Sequence, residues 1–152
     1  MYEYKCDITR VVDGDTVDAE IDLGFDIIFK SRIRLYGIDT PESRTSNKDE
    51  KARGKLAAKF LSDSILHADN IVVQTKLDKK GKFGRVLGVI VADDVDLNQA
   101  LVDNYHAVPY TGQSKTLTAQ MHKVLEYTKK EDAELYKEII QYLKDDNYYN
   151  PL

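Results

Sequence analysis

Cysteine and long apolar runs are what this sequence has least of. One cysteine, Cys6, occurs in 152 residues, which excludes an intrachain disulfide and a zinc site built on several cysteines. No apolar run approaches the ~20 residues of a membrane span, and residues 1–5 lack the basic and apolar segments of a signal peptide. We therefore expect a cytoplasmic protein with no membrane partner, unless a leader was trimmed, and a buried free thiol at Cys6.

Length and charge fit one ordinary globular domain. The chain is 42% hydrophobic and 32% charged, which is typical of a folded soluble protein. Its net charge of −4 argues mildly against a protein that coats nucleic acid through its overall field. Basic residues are concentrated locally, since Lys79, Lys80, Lys82 and Arg85 fall within seven residues. Solvated lysines at a hairpin tip and phosphate contacts explain such a cluster about equally well.

Alternating polar and apolar residues predict five strands. In the second of them Val17, Ala19 and Ile21 face inward, and the turn signal Asp13-Gly14-Asp15 precedes it. The third strand stops at Pro41, which has no amide hydrogen to donate. The predicted strands cover residues 2–12, 16–22, 27–40, 71–76 and 84–92. The predicted inward residues of the third strand are Ile27, Phe29, Ile33 and Leu35.

Helical patterns separate and follow these strands. Asn47 or Ser46 can cap a helix that buries Leu56, Ala57, Phe60 and Leu61 among others, and Asp96 can cap a short second helix. Residues 114–145 look helical, with a capping box at residues 128–131 that predicts a break between two helices. Three strands, a helix, two strands and further helices are most economically closed as a five-stranded α+β barrel. This is the oligonucleotide/oligosaccharide-binding (OB) fold, with C-terminal helices added.

Two carboxylates are candidates for a metal site. Asp15 lies in the first turn and Asp39 at the end of the third strand, and these ends can meet in a small barrel. With a backbone carbonyl such as that of Thr40, they form a hard oxygen site that suits Ca²⁺ or Mg²⁺ and should bind weakly without substrate. Taken alone, Asp13-Gly14-Asp15 is more often only a turn.

Two arginines and a glutamate are candidates for phosphoryl chemistry. Arg34 and Arg85 carry forked donors that suit the charge growing on a five-coordinate phosphoryl transition state. Glu42 could accept a proton from an attacking water or orient that water. Plainer interpretations stay open, because either arginine could pair with Asp18 or Glu20 at the surface, and Glu42 could be a surface carboxylate.

The remaining candidates are histidines and one tyrosine. His67, His106 and His122 do not cluster in the sequence, so structural or solvated roles are favoured for all three. Their spacing gives no support to serine–histidine nucleophilic catalysis. Tyr110 follows Pro109 and is equally suited to stacking on a base or sugar and to packing.

Three stretches taken together, residues 13–17, 34–42 and 82–85, closely resemble the staphylococcal nuclease (thermonuclease) family. The resemblance runs from about residue 5 to about residue 128. It implies the five-stranded barrel and calcium-dependent hydrolysis of phosphodiester bonds in DNA and RNA. It further implies attack by water on phosphorus, with the 5′ oxygen leaving and 3′-phosphate ends produced.

Site roles implied by this resemblance follow the matching positions. Asp15 and Asp39 correspond to the calcium carboxylates, and Thr40 to the carbonyl ligand. The implied catalytic residues are Arg34, Glu42 and Arg85, where Glu42 is the general base or a water-orienting group. The implied substrate contacts are Lys82 and Tyr110.

Domain organisation and the runner-up function complete these expectations. Residues 1–128 are expected to form the nuclease-like domain, and residues 129–152 a C-terminal helical extension of it. We expect a monomer, with self-association through the C-terminal helices as the alternative. The competing function is a non-catalytic barrel that binds nucleic acid or protein, but simple binding requires no carboxylate pair with a base.

Overall fold

The computed structural model describes residues 2–76, 85–131 and 134. Eight strands and three helices are formed within these ranges. The strands are β1 (Glu3–Asp13), β2 (Thr16–Asp22), β3 (Ile28–Leu35), β4 (Ile38–Asp39), β5 (Ile71–Lys76), β6 (Arg85–Ala92), β7 (Val95–Asp96) and β8 (Val108–Pro109). The helices are α1 (Lys48–Leu66), α2 (Leu97–Asp103) and α3 (Lys115–Glu131). None of the described helices is long and apolar enough to cross a lipid bilayer.

Five strands close into a mixed barrel. Their order is β3-β2-β1-β5-β6, and all of these neighbours are antiparallel. A parallel pairing of β3 with β6, from Arg32 opposite Arg85 to Leu35 opposite Gly88, joins the two edges. Closure leaves neither of these strands with an unpaired edge along that stretch. The predicted α+β OB-fold barrel, with a helix between its third and fourth long strands, is confirmed.

The barrel interior follows the predicted alternation in β2 but only partly in β3. Val17, Ala19 and Ile21 are buried, as are Ile33 and Leu35. The prediction was wrong for two other residues of the third strand, because the pairing with β6 that closes the barrel begins only at Arg32 and does not cover the part of the hairpin before it. The exposed fractions are 55% for Ile27 and 48% for Phe29.

The third predicted strand is two pieces rather than one. β3 ends at Leu35 and β4 begins at Ile38, so the chain turns at Tyr36-Gly37. Gly37 has a φ of 80°, a left-handed conformation that costs glycine little and side-chain-bearing residues more. The turn redirects the chain, and β4 pairs with β8 instead of continuing in the barrel.

Helix α1 begins where the sequence predicts. The Asn47 side chain accepts hydrogen bonds from the backbone N–H groups of Asp49 and Glu50, both at 3.1 Å, which satisfies two donors of the first turn. Ala57 and Leu61 are buried against the barrel. Leu56 is exposed, contrary to its predicted place in the buried stripe. It lies beside the helix face that carries Ala57 and Leu61 and contacts the barrel.

Helix α2 fastens the barrel to the turn after β3. Asp96 caps the helix as predicted, accepting from the N–H of Gln99. Asn98 is buried; its side chain accepts from the N–H of Ile90 and donates to the carbonyls of Tyr36 and Gly88. This asparagine therefore holds the Tyr36 backbone on β6.

Helix α3 does not break where the sequence predicts. The helix continues through Thr128 to Glu131, so the predicted start of a second helix at Thr128 is wrong. Within an unbroken helix the Thr128 position lies in the interior, where amides pair four residues back and need no cap. Most of the predicted extension, residues 132–133 and 135–152, lies outside the described residues.

Candidate active site

Strand pairing gathers the predicted site residues at one end of the barrel. Arg34 lies opposite Thr16 in the β2–β3 ladder, and the backbone N–H of Leu35 donates to the carbonyl of Asp15 at 2.8 Å. The short β4–β8 pair then places Asp39 opposite Val108. The first turn and the end of the third predicted strand meet, as the sequence predicted.

Arg34 is held between the two carboxylates. Its Nη2 lies 3.5 Å from Asp15 Oδ2 and 3.5 Å from Asp39 Oδ1, and its Nη1 donates to the Leu35 carbonyl at 2.9 Å. The side chains of Arg34, Asp15 and Asp39 are 17%, 12% and 26% exposed. At 3.5 Å the contact with Asp39 is a long hydrogen bond, and the contact with Asp15 is an ion pair. The firm backbone contact fixes the guanidinium, which presents its charge to both carboxylates.

The carboxylate of Asp15 is held by two hydrogen bonds from nearby threonines. Its Oδ2 accepts from the N–H of Thr40 at 3.1 Å, and its Oδ1 accepts from the Thr16 hydroxyl at 3.0 Å. Gly14 lets the turn approach the buried Thr40, because a Cβ at this position would lie 2.6 Å from Ala57 Cβ and 3.0 Å from Thr40 Cγ2. The close approach of the turn to Thr40 therefore depends on glycine.

The oxygens in this cluster fit a hard cation. Two carboxylates surround one guanidinium, so the group retains negative charge, and carboxylate and carbonyl oxygens are preferred by Ca²⁺. Thr40 Oγ1 is buried and has no hydrogen-bond partner among the described residues. Within residues 2–76, 85–131 and 134, no group of three or more His, Cys, Asp or Glu residues is arranged for metal binding. The two carboxylates that Arg34 joins here are those of Asp15 and Asp39.

Glu42 lies at the surface on the loop that follows β4. Partial desolvation raises the pKa of its carboxyl group, and four carboxylates add to the effect. These neighbours are Asp13, Asp15, Asp39 and Glu50. The loop is fixed from two sides: Asp13 accepts a hydrogen bond from the Ser43 hydroxyl, and Gly54 of α1 packs on the Pro41–Glu42 backbone. Asp13 therefore supports the loop that carries Glu42.

The structure describes the three other predicted site residues to different extents. Tyr110 is half-buried, and its N–H donates to the carbonyl of Gly37 at 2.8 Å, which puts its backbone at the Gly37 end of the β4–β8 pair. The backbone of Arg85 begins β6 beside Arg32, but its side chain is outside the description. Lys82 lies outside the described residues altogether.

His122 is the site residue that the sequence prediction missed. Its Nε2 lies 2.8 Å from Asp39 Oδ2, so the structural or solvated role favoured for this histidine was incomplete. His122 and Asp39 are 83 residues apart, and no spacing pattern links them. The docking of α3 against the barrel is what joins them. His67 caps the end of α1, and His106 packs against Phe60 with ring centroids 4.9 Å apart.

Comparison with known proteins places this chain in a family. The family model described as staphylococcal nuclease homologue matches residues 32–138. The chain belongs to the staphylococcal nuclease family. The resemblance predicted from the sequence is confirmed, and the match covers Arg34, Asp39, Thr40 and Glu42.

Three similar proteins carry nuclease names. The chain is 31% identical over 114 residues to Endonuclease YhcR of Bacillus subtilis (strain 168), covering 71% of this chain and 9% of that protein. It is 35% identical over 96 residues to Thermonuclease of Staphylococcus intermedius, covering 62% and 52%. It is 27% identical over 130 residues to Micrococcal nuclease of Shigella flexneri, covering 80% and 67%. The matched region is thus about half of the thermonuclease and a small part of the endonuclease.

Proposed function

We propose that this protein is a calcium-dependent nuclease that hydrolyses phosphodiester bonds of DNA and RNA. The observation that carries the proposal is the guanidinium of Arg34, which lies 3.5 Å from both Asp15 and Asp39 at one end of the barrel. Family membership and the nuclease names of similar proteins support the same reading.

Asp15, Asp39 and the carbonyl of Thr40 are the proposed ligands of Ca²⁺. Their oxygens have the hard character that this cation requires. The Thr40 backbone is already joined to this pair, because its N–H donates to Asp15 Oδ2 at 3.1 Å. When bound, Ca²⁺ supplies positive charge that stabilises phosphate oxygens as negative charge grows on them.

Arg34 and Arg85 are proposed to bind the phosphate that reacts. A guanidinium offers two parallel N–H donors to phosphate oxygens, and Arg34 is already oriented by the Leu35 carbonyl. Because its side chain is largely buried, its charge acts in a medium that screens it less than water does. Two such groups stabilise the transition state more than the ground state, which is the condition for a faster chemical step.

Glu42 is proposed to take a proton from the attacking water or to orient that water. The water oxygen bonds to phosphorus, the bond from phosphorus to the 5′ oxygen breaks with its electron pair on that oxygen, and the 5′ oxygen takes a proton from solvent. The phosphate stays on the 3′ side of the cut. The backbone that carries Glu42 is held by the hydrogen bond from Ser43 to Asp13 and by the close approach of Gly54, which keeps this residue at the site end of the barrel.

Lys82 and Tyr110 are proposed to contact the substrate outside the reacting phosphate. Tyr110 directly follows β8, whose residue Val108 lies opposite Asp39, and its ring is proposed to stack on a base or sugar. Lys82 belongs to the basic segment before β6 and would act as a charge for the phosphate backbone.

Cleavage of single-stranded DNA, duplex DNA and RNA by the purified chain, with Ca²⁺ or with a chelator, tests the proposal. The variant Arg34→Ala should lower kcat/KM by at least about 10³-fold. Arg32→Ala is the matched control: Arg32 lies two residues away on the same strand and pairs with Asp18 at the surface. It should keep activity within a few-fold. Products should carry 3′-phosphate ends.

The competing function predicts a different pattern. A non-catalytic barrel would bind nucleic acid with no cleavage in any metal, and Arg34→Ala would change only affinity.

Location in the cytoplasm and a monomeric state stay predictions. Light scattering over a concentration series tests the second, because self-association would raise the mass with concentration.

A further inference from the structure

The contact between His122 and Asp39 joins the last described helix to the candidate metal site. His122 lies on α3, and its side chain is 14% exposed. Its Nε2 is 2.8 Å from Asp39 Oδ2. An ionised carboxylate only accepts hydrogen bonds, so Nε2 carries the hydrogen and donates it. The two oxygens of Asp39 are thereby divided, with Oδ2 toward His122 and Oδ1 toward Arg34.

This division fixes the rotation of the carboxylate. The last torsion of an aspartate is broad and weakly restrained by itself. Donors on both sides, Arg34 at 3.5 Å and His122 at 2.8 Å, restrict it to one orientation. A carboxylate that is already oriented loses less entropy when it coordinates a cation, which favours binding.

Helix α3 is itself held in place independently of this contact. Leu125 is buried in the core and Met121 packs against it. Glu126 pairs with Arg53 of α1 at 3.3 Å. The imidazole therefore rests on a docked helix. His122 Nδ1 is buried and has no hydrogen-bond partner among the described residues, so the contact with Asp39 is the polar interaction shown for this ring.

We propose that His122 is a positioning residue that orients Asp39 for cation binding, so that the docking of α3 sets the affinity of the site. This inference rests on the proposed function, because it assumes that Asp39 is a cation ligand. In other metal sites, removing a residue that hydrogen-bonds a metal ligand typically lowers the affinity for the metal by about 10- to 100-fold. His122 would act through Asp39 and touch neither substrate nor cation.

A calcium titration of the intact chain followed by NMR tests this proposal without relying on catalysis. Backbone amide shifts of Thr16 and Thr40 report on the site and can be followed to the high Ca²⁺ concentrations that a weak site requires. His122→Phe keeps a ring but removes the donor, and should weaken Ca²⁺ binding by about 10- to 100-fold. His122→Gln, whose amide can donate to Asp39, should restore affinity to within about fivefold of the original.

Glu126→Gln is the matched control on the same helix. It removes the ion pair with Arg53 at a partly exposed position and should change Ca²⁺ affinity by no more than about twofold. Thermal unfolding in chelator separates loss of helix docking from loss of orientation. Equal affinities for His122→Phe and the original chain, or equal losses for the Phe and Gln variants, would overturn the proposal.

Failure of the proposed function gives a different result. If the original chain shows no Ca²⁺-dependent shifts at Thr16 and Thr40 and no cleavage, the calcium site and this inference both fall. If it binds and cleaves while His122→Phe binds equally well, only the role of His122 falls.

Discussion

The two ends of the β2–β3 hairpin treat their side chains in opposite ways. At the end where Thr16 pairs with Arg34, ionisable side chains lie largely out of solvent. At the other end, where Asp22 pairs with Ile28, apolar side chains lie in solvent, and Phe25 is 98% exposed. Six steps of extended strand, from Thr16 to Asp22, separate these pairs by roughly 20 Å.

Each end breaks the usual inside–outside rule, but only one shows a chemical reason. Buried charges are tolerated where they are paired and hydrogen-bonded, and Arg34 and Asp15 have such partners. At the hairpin tip, Phe25 has a φ of 55° as well as an exposed ring, so both backbone and side chain are unfavourable. The comparison indicates that chemistry belongs at the first end, and that changes at the second should leave turnover alone.

Neutralising one aspartate at each end of β2 gives the largest expected contrast. Asp15→Asn keeps an oxygen for the Thr40 N–H but removes a proposed cation ligand, so kcat/KM should fall by at least about 10²-fold. Asp22→Asn, in the exposed turn where Asp22 accepts from the N–H of Gly24, should change it less than about twofold. Initial rates with Ca²⁺ measure both. Equal losses would contradict the assignment of the site to one end.

The thiol of Cys6 tests whether the barrel stays closed near the exposed tip. Cys6 pairs with Ile21 in the β1–β2 ladder and is buried. Burial, with a smaller contribution from the negative charge of Asp7, raises the pKa of the thiol to about 11. The thiolate is the reactive form, so labelling at pH 8 should be roughly 100-fold slower than in the unfolded chain. The rate should rise with pH until about pH 11.

Labelling with a coloured disulfide reagent measures this rate, with the chain in denaturant as the reference. The reaction should be slow because both access and ionisation are restricted. Rapid labelling of the folded chain would mean that the wall beneath the hairpin tip opens, and the two ends would then differ in stability as well as in exposure.

Alanine substitutions at two glycines, Gly54 near the candidate site and Gly24 at the hairpin tip, distinguish an effect on turnover from an effect on stability. A Cβ at Gly54 would lie 2.7 Å from the backbone of Glu42, so Gly54→Ala should displace that loop and lower kcat roughly 10-fold. It should also lower the free energy of unfolding by about 1–3 kcal/mol, although alanine ordinarily favours a helix. Kinetics and urea unfolding measure the two effects.

Gly24→Ala is the counterpart at the tip. No atom lies within 4 Å of its added Cβ, but Gly24 has a φ of 83°, which costs alanine about 1 kcal/mol. Stability should fall slightly with kcat unchanged. A similar loss of kcat in both variants would show that the Glu42 loop is not the cause.

The smallest expected effect is at Phe25 itself. Phe25→Asn replaces an exposed ring with a residue that tolerates positive φ better, and should raise the free energy of unfolding by about 0.5 kcal/mol with no change in turnover. Urea unfolding measures this difference. A marked loss of stability or activity would mean that the exposed ring makes a contact that matters.

Much of the fold and of the candidate site could be predicted from local patterns. The turn Asp13-Gly14-Asp15, the cap at Asn47 and the inward residues of β2 each depend on neighbours within a few residues. The carboxylates and Arg34 could be predicted because they lie in short motifs at strand ends. The exposed Ile27 could not, because alternation marks a face of a strand and does not tell where the barrel beneath it stops.

The sequence by itself therefore determined the strands, the caps and the residue types available for chemistry, since these follow from backbone preferences and short-range periodicity. Tertiary structure alone decided that His122 meets Asp39 across 83 residues, and that Asn98 holds the turn after β3 on β6. Such contacts arise from how a helix packs on a closed barrel, and packing depends on the shapes of surfaces assembled from distant segments.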